Sequence, residues 1–441
     1  MTFITISFEV HQPIRIRKKP LRILPESFMF ENFFDDEENK RIFNKVANKC
    51  YLKTSQILLE LLDQTKHDKN PLKVNFSFSG MALEQAEMYN KDVLECFKQL
   101  AQHKNVEILG ETYYHSLASL YESKDEFIEQ VLKHYFTMKE LFGVKPKVFM
   151  NTEMIYNNII AKTIEELGFK GIVTEGAERI LSWRSPNYVY TRIPLSSDDK
   201  PMDKRIKVFL RNYRLSDDIA FRFSARWWNE WPLTADKYAA WLSATPGQII
   251  NIYIDYETFG EHHWEETGIF WFLKALPFEI QKYDHLKFAN FKDVIDKLEP
   301  VGEIDVFEFS TLSWADIERD VSAWLGNEMQ LTAFEEIKRI REIVSILNDE
   351  KLWEIYRLLT QSDHFYYMCT KYWADGDVHK YFSNFGTPHQ AFASYMNALS
   401  QFNSILFTKL ASIKQLQKIE KATQKKVKRR VSRKKKTKIK S

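Results

Sequence analysis

The sequence of 441 residues predicts an α/β fold, in which a barrel of parallel strands and helices is followed by a C-terminal helical domain. Two observations lead to this prediction. Short β-branched runs alternate with segments of helical spacing up to residue 308, and strand-like runs almost disappear beyond Phe309. Alternation of this kind is typical of a parallel sheet covered by helices, and seven or eight strands favour a barrel over an open sheet. We therefore expect a barrel domain over 1–308 and a helical domain over 309–415.

The elements can be placed in order along the chain. The first strand, 3–10, alternates apolar and polar residues and stops at His11-Gln12-Pro13. The further strands are predicted at 74–78, 106–109, 148–150, 171–174, 206–210 and 249–254, and helices at 37–65, 81–102, 124–141 and 159–167. In the second part of the chain, helices are predicted at 329–349, 352–360 and 390–410.

The composition is that of an ordinary globular protein. Hydrophobic residues make up 44% and charged residues 28%, which is enough apolar material for a large core. No uncharged apolar stretch is long enough to span a membrane, and the N-terminus lacks the order of regions that marks a signal peptide. We therefore expect a cytoplasmic protein with no membrane association. The three cysteines, Cys50, Cys96 and Cys369, contain no CxxC pair, so neither a disulfide framework nor a zinc ribbon is predicted.

The end of the chain is strongly basic. Residues 421–441 hold 12 Lys and Arg and no acidic residue, whereas acidic residues outnumber basic ones in the rest of the chain. Like charges cannot be buried together, so we expect 416–441 to be a solvated, disordered tail. Such a tail could contact a nucleic acid or another acidic surface through counterion release, although it has no aromatic residue to stack on bases.

Several predicted strands end in polar residues that a core would not need. The main ones are His11 after the first strand, Glu153 after 148–150 and Asp255 after 249–254. The carboxyl ends of parallel strands meet at one rim, where barrel enzymes keep their chemistry. A buried carboxylate costs desolvation energy unless it is paired or used. Each acid alone could be structural, held by a helix cap or an arginine, but two acids at one rim indicate a functional site.

Two carboxylates at one rim suit the hydrolysis of a glycosidic bond. One acid attacks or stabilises the oxocarbenium-like centre while the other protonates the leaving oxygen. The first must stay ionised, and we expect Asn151 and neighbouring donors to hold Glu153 charged. The second needs a raised pKa, which the carboxylates of Glu257 and Glu261 could give to Asp255. The high aromatic content, 15%, agrees with a sugar ligand because flat rings pack on sugar faces.

Five regions, in this order, resemble the signature regions of glycoside hydrolase family 57, and within it the α-amylase-like group. The resemblance extends to about residue 410 and is carried by His11-Gln12-Pro13, 110–117, 151–156, 255–261 and 313–327. It implies a retaining mechanism in an incomplete (β/α)7 barrel followed by a helical domain. By position, Glu153 matches the nucleophile and Asp255 the general acid/base.

The resemblance also implies residues that bind the substrate. His11 and Glu257 match residues at the cleavage subsite, and the helical domain is expected to contribute Asp320, Trp324 or Trp314. We include His115, which stands where glucanotransferase relatives carry a glutamate, a departure that weakens any inference of transferase specificity. The polar and aromatic strings 362–368 and 375–379 fall in the family's helical region and are expected to brace the site.

The sequence thus predicts an endo-acting hydrolase of α-1,4-glucosidic bonds in starch, glycogen or maltodextrins that needs no cofactor and no metal. Glucanotransfer or branching stays open because only the acceptor differs. A metal-dependent polysaccharide deacetylase built on His11, His115 and His262 is an alternative of another class, although the adjacent His262 and His263 make poor joint ligands. A non-catalytic glycan-binding protein is a third alternative.

Overall fold

The computed structural model describes residues 1–19, 28–371 and 383–438, and for 416–438 it describes the helical backbone alone. The strands of these residues are β1 (Thr2–Val10), β2 (Val74–Phe78), β3 (Val106–Ile108), β4 (Val148–Met150), β5 (Gly171–Glu175), β6 (Tyr190–Arg192), β7 (Lys207–Arg211), β8 (Ile249–Asp255), β9 (Leu286–Phe288) and β10 (Glu303–Ile304).

Seven parallel strands form a closed ring. β1 pairs with β2 and β8, β2 with β3, β4 with β5, β5 with β7 and β7 with β8. Gly110 joins β3 to β4, since its N–H donates to the Val148 carbonyl at 2.8 Å and its carbonyl accepts from Met150 at 2.8 Å. A Cβ at position 110 would lie 2.6 Å from the ring of Phe169, so only glycine allows this approach. The seven-stranded barrel is therefore confirmed.

The ring is also irregular between β7 and β8, which share one registered pair, Arg211 opposite Asn251. Three short strands lie outside the ring. β6 runs antiparallel to β7, β10 pairs with β6, and β9 pairs with the first residues of β1. The sequence did not predict these three strands.

Helices cover the outside of the barrel and dominate the rest of the described chain. Their bounds are α1 (Asp36–Val46), α2 (Leu52–Thr65), α3 (Gly80–Tyr89), α4 (Lys91–Gln102), α5 (Asp125–Phe142), α6 (Asn158–Glu166), α7 (Glu178–Leu181), α8 (Tyr213–Ala220), α9 (Ala235–Ala244), α10 (Ile269–Gln281), α11 (Phe291–Val294), α12 (Ser322–Leu325), α13 (Glu328–Leu347), α14 (Glu350–Leu359), α15 (Ser362–Tyr366) and α16 (Pro388–Lys438).

The helix predicted over 37–65 is interrupted by one π-helical turn, Ala47–Tyr51, between α1 and α2. Such turns often occur next to functional sites. Here the turn buries Tyr51, and the hydroxyl of this residue donates to the carboxylate of Glu257, which follows β8. The irregular turn therefore connects the outer helices to the rim of the barrel.

The C-terminal helices share a hydrophobic core with one side of the barrel. Buried residues of α13, α14 and α16, such as Ile337, Leu359 and Phe402, belong to the same cluster as Phe127 of α5 and Ile160 of α6. This packing brings α15 to the rim. Hydrogen bonds between the barrel and the C-terminal helices fix this contact. The Ile14 N–H donates to the Gln361 side chain at 2.8 Å. The Ser362 N–H donates to the His115 carbonyl at 2.9 Å.

The described backbone of α16 is helical as far as Lys438, within the segment that the sequence predicts to be a solvated tail. Residues 416–438 contain no glycine or proline and are rich in Lys, Arg and Gln, which have high helix propensity. Like charge along the segment therefore does not prevent a helical backbone. Within the described residues, no helix has the length and apolar character needed to cross a membrane.

Candidate active site

A cavity of about 460 Å³ opens at the carboxyl ends of β1, β4, β7 and β8 and is partly covered by the C-terminal helices. Its lining contains both acids that the sequence singles out, Glu153 and Asp255. It also contains the predicted substrate-binding residues His11, His115, Glu257, Trp314 and Trp324. The structure therefore brings seven of the eight predicted site residues to one cavity.

Glu153 is held by donors from the C-terminal part of the chain. Its Oε2 accepts from the indole Nε1 of Trp314 at 2.8 Å, and its Oε1 accepts from the Ser362 hydroxyl at 2.9 Å. The backbone of Glu153 is left-handed, with φ +56°, which is uncommon for a residue with a side chain. Both the strained backbone and the two donors fix the direction of this carboxylate.

Asp255 has a different environment at the end of β8. Burial and the charge of Glu153 raise the pKa of Asp255 to about 7, although Arg211 and His115 oppose the shift. Burial and the charge of Asp255 likewise raise the pKa of Glu257 to about 8. Near neutral pH, Asp255 therefore holds a proton for much of the time, beside an acid that accepts two hydrogen bonds.

Two supporting roles predicted from the sequence are wrong. Asn151 does not bind Glu153; its amide donates to the Ser119 hydroxyl and to the Ile155 carbonyl, at 2.9 and 2.8 Å, and so closes the turn after β4. Glu261 does not raise the pKa of Asp255, because its side chain is ion-paired with Lys45 and Lys49 away from the cavity.

His11 connects the barrel to α15. Its Nδ1 lies 2.8 Å from the Ser79 hydroxyl and its Nε2 lies 2.9 Å from Asp363 Oδ2. Burial and the neighbouring His115 lower the pKa of His11, while Asp363 opposes this shift. Of the two polar strings expected to brace the site, 362–368 reaches it through Ser362 and Asp363, and 375–379 lies outside the described residues.

The three residues expected from the helical domain differ in position. Trp314 contacts Glu153, and the buried Trp324 lines the cavity while its ring packs 5.9 Å from that of Tyr366. Asp320 is not part of the lining; its carboxylate accepts from the Ser322 N–H at 2.8 Å and caps the start of α12. A short acidic side chain before a helix satisfies a free backbone N–H, which explains this position. Among the residues that the structure describes in this part of the chain, Asp363 supplies a carboxylate to the cavity.

Three charged residues that line the cavity were not predicted from the sequence: Glu9, Arg15 and Arg211. Arg211, the last residue of β7, donates to Glu175 and Asp217 at 3.0 and 2.6 Å, and its guanidinium lies 5.7 Å from the Trp314 ring. Glu9, the next-to-last residue of β1, is 3% exposed. The sequence contained a signal for Arg211. The predicted strand 206–210 stopped one residue before this charged strand end, just as the predicted strand 249–254 stopped one residue before Asp255.

The histidines of the deacetylase alternative do not form a ligand set. Among the described residues, the one group that meets the distance for a shared ion is Glu9, Glu111 and His115, with ligand atoms within 4.8 Å of one another. His11 and His262 are not in it. In addition, His115 Nδ1 lies 2.5 Å from Glu111 Oε1, closer than the separation of about 3.3 Å expected for two ligands of one tetrahedral ion. This contact is a hydrogen bond.

A parallel barrel with two acids in one cavity, one held by hydrogen bonds and the other with a raised pKa, is the arrangement of a glycoside hydrolase. The family comparison agrees. Residues 5–307 match the sequence model of Glycosyl hydrolase family 57. The chain belongs to this family and is a glycoside hydrolase, as its sequence predicts.

Relatives extend the match beyond the barrel. A protein of Methanocaldococcus jannaschii named "Putative alpha-amylase" is 53% identical over 407 residues, which are 90% of this chain and 84% of the relative. Among solved structures, a GH57 branching enzyme from Thermococcus kodakaraensis has a TM-score of 0.62 at 14% identity, with 92% and 90% of the two chains covered.

A 4-alpha-glucanotransferase from Thermococcus litoralis has a TM-score of 0.58 at 16% identity. The match covers 83% of this chain but 56% of the length of that enzyme. At these identities the two solved structures establish the fold alone.

Proposed function

We propose that the protein is a retaining hydrolase of α-1,4-glucosidic bonds in starch, glycogen or maltodextrins, with Glu153 as nucleophile and Asp255 as general acid/base. One observation carries the proposal: the two acids line the same cavity in opposite environments. Glu153 accepts two hydrogen bonds that orient its carboxylate, whereas burial and the Glu153 charge favour the protonated form of Asp255. The relative named as an α-amylase supports the choice of an α-glucan.

In the first step, a Glu153 carboxylate oxygen attacks the anomeric carbon and forms a glycosyl ester. The bond from that carbon to the glycosidic oxygen breaks, and Asp255 gives its proton to the leaving oxygen. The hydrogen bonds from Trp314 and Ser362 orient Glu153 for this attack. Loss of the proton leaves Asp255 as a carboxylate.

In the second step, water enters from the side of the departed sugar. Asp255 now accepts a proton from this water, whose oxygen attacks the anomeric carbon and displaces the Glu153 carboxylate. Asp255 is thereby protonated again and Glu153 ionised. Two inversions at one carbon give net retention of configuration, and each step uses side chains that line the cavity.

The cavity walls suit a glucose unit. Trp314 and Tyr366 present apolar ring surface, while His11, Glu257 and Asp363 present donors and acceptors for hydroxyl groups. Sites of this kind bury the flat faces of a sugar and fix its orientation with a few polar contacts. We expect His11 and Glu257 to contact the glucose at the cleavage point.

The stereochemical course tests the mechanism. Proton NMR during the first minutes of maltoheptaose digestion should show the α-anomer of the new reducing end before mutarotation. First appearance of the β-anomer would mean inversion and would refute the double displacement.

Substitutions test the assignment of the two acids. Asp255→Asn should lower kcat by roughly 10²- to 10⁴-fold, the usual contribution of a general acid, and Glu153→Gln should abolish turnover. Glu107→Gln is a matched control, because Glu107 is a buried acid on β3 that accepts from the Lys292 N–H outside the cavity. It should leave kcat near the wild-type value.

Transfer to a second glucan is the other candidate, because a sugar hydroxyl can replace water in the second step. The fold similarity to a branching enzyme and to a glucanotransferase is the reason to retain transfer as a second candidate function. Products from maltoheptaose distinguish the two. Hydrolysis gives chains that are shorter than the substrate, whereas transfer also gives longer chains or α-1,6 branches without a matching rise in reducing ends.

A further inference from the structure

A buried ionic cluster lies behind the nucleophile. It consists of Glu9, Glu111 and His115, which are 3%, 0% and 2% exposed. His115 Nδ1 lies 2.5 Å from Glu111 Oε1 and 3.8 Å from Glu9 Oε1, while its Nε2 lies 3.5 Å from Glu153 Oε1. Each ring nitrogen therefore faces a carboxylate.

The proton count of His115 follows from this geometry. A neutral imidazole has one N–H donor and one nitrogen acceptor, and an acceptor nitrogen facing a carboxylate is repelled. Since Glu111 and Glu153 offer acceptor oxygens to the two nitrogens, both nitrogens need a proton. Only the imidazolium form satisfies both contacts, and its charge also compensates part of the buried negative charge.

The ring has little freedom to leave this position. It stacks on the ring of His11, with centroids 3.8 Å apart and planes at 19°. The His115 backbone is left-handed, with φ +48°, and its carbonyl accepts from the N–H of Ser362, the residue whose hydroxyl binds Glu153. Strained backbones of this kind persist where the surroundings fix them, often at functional sites.

We propose that His115 is a permanently protonated positioning residue that holds the Glu153 carboxylate ionised and oriented, and that Glu111 keeps His115 protonated. This inference rests on the proposed role of Glu153 as nucleophile. It assigns to Glu111 and His115 an action through Glu153, rather than a contact with the sugar.

The charged groups around His115 agree with this assignment. Burial alone would lower its pKa, but hydrogen bonds to Glu111 and Glu153 and the charges of Glu111 and Glu9 raise it well above the ordinary value. The other titratable groups facing the ring are His11, Asp255 and Asp363, which come from the ends of β1 and β8 and from α15. Glu111 also accepts from the Ser77 hydroxyl at 2.6 Å, which favours its ionised form.

The charge state can be measured directly. In protein labelled with ¹⁵N at histidine, the two ring nitrogens of His115, assigned by their loss in His115→Gln, should both carry protons from pH 6 to 9. In Glu111→Gln the hydrogen-bond acceptor remains but its charge is lost, so His115 should titrate within this range. A neutral His115 ring in the wild-type protein at pH 7.5 would overturn the proposal.

Kinetics give a second readout. In Glu111→Gln, kcat should fall about tenfold for each pH unit above the new pKa of His115 and recover at lower pH, with KM changed far less. Glu107→Gln, which removes a buried acid from β3, the strand that precedes Glu111, should keep the wild-type profile. An equal loss of kcat at every pH in Glu111→Gln would mean a merely structural role and would contradict the proposal.

Two further outcomes are decisive. If addition of Zn²⁺ after EDTA treatment moved the His115 signals, and Glu9→Gln prevented this, the cluster would bind metal and the proton assignment would be wrong.

The charge state of His115 can be tested separately from the proposed function. Covalent labelling of Glu153 with a neutral His115 would refute this inference alone, whereas a protonated His115 with labelling of another residue would refute the nucleophile.

Discussion

Asp255 owes its proton to the position at which β8 ends. The carboxyl group is partly buried beside Glu153, and Arg211, the cation that most opposes its protonation, already donates to Glu175 and Asp217. An arginine shared among several acids stabilises each of them less than a dedicated partner would. The negative charge of Glu153 therefore dominates over Arg211 at Asp255, and the pKa stays raised.

The pH dependence of kcat/KM should follow this pKa. A general acid works only when protonated, and the pKa of Asp255 is raised to about 7, so activity should be present below that pH and be lost as the pH rises through it. The decline should approach tenfold for each pH unit and reflect one ionisation. Measurement with an unactivated maltodextrin between pH 5 and 9 checks this. Full activity up to pH 9 would contradict the role of Asp255.

At this scale the sequence predicted most of the polar residues at strand ends, although it missed Arg211, and it failed for Glu9 inside β1. His11, Glu153 and Asp255 were found because a polar residue directly after an apolar run is conspicuous. Glu9 lies within the alternating pattern of β1, where a charged residue usually faces solvent, so its burial could not be predicted. The pairing of His11 with Asp363 depends on packing of distant elements and leaves no mark in local spacing.

Two irregular elements supply the donors to Glu153. The loop after β10 carries Trp314, and the short helix α15 carries Ser362. Neither donor belongs to the barrel, so the nucleophile is complete only when the C-terminal helices are packed on the rim. The sequence predicted the long helices that form this packing but not the one-turn elements that present the donors.

Ser362→Ala should lower kcat by about 10- to 100-fold, because a hydrogen bond to a charged group contributes about 1.5–3 kcal/mol. KM should change little, since the hydroxyl binds the nucleophile. Ser394→Ala is a matched control: the Ser394 hydroxyl donates to the Lys18 carbonyl at 2.8 Å, outside the cavity. Steady-state kinetics of the two variants should differ in kcat, and an equal effect would contradict the role of Ser362.

The loop after β8 depends on a glycine. Gly260 has φ +107°, and a Cβ there would lie 2.0 Å from the Lys49 carbonyl of the π-helical turn. Gly268 also has a positive φ, +87°, but a Cβ there would meet nothing within 4 Å. Gly260→Ala therefore adds a clash to the backbone strain, whereas Gly268→Ala adds strain alone, about 1 kcal/mol.

Thermal unfolding of the two variants separates these effects. Gly260→Ala should lower Tm clearly more than Gly268→Ala, and activity should fall with it because Glu257 lies three residues earlier. Equal Tm values for the two variants would show that the π-helical turn Ala47–Tyr51 does not contact the loop after β8 at Gly260.

The prediction of elements succeeded where the pattern was long enough to have a period. All seven barrel strands were predicted within one or two residues of their observed bounds. β6, β9 and β10 have three, three and two residues, too few for an alternation to be visible. Their pairing is imposed by the neighbouring strands.

Over the whole molecule, one hydrophobic cluster joins the barrel to the C-terminal helices, and the site lies between them. The division predicted at residue 308 therefore separates two kinds of secondary structure, while the cavity takes its lining from both sides. The barrel supplies Glu153 and Asp255. The C-terminal part supplies Trp314 and Ser362, whose side chains donate to Glu153.

We expect the basic segment to take no part in this arrangement. Deletion of 421–441 should leave kcat and KM for maltoheptaose unchanged, because the described residues that line the cavity all precede position 368. Steady-state kinetics of the shortened chain, with its Tm as a check of folding, make the comparison. Loss of activity in a folded protein would give the segment a role in catalysis that the site does not explain.

The central claim is that Glu153 forms a covalent bond to the sugar. Incubation with a fluorinated glucosyl inactivator, followed by proteolysis and peptide mass mapping, measures this directly. The account predicts one label per chain, on the peptide that contains Glu153, and no label in Glu153→Gln. A label on Asp255, on Glu9 or on any other residue would contradict it.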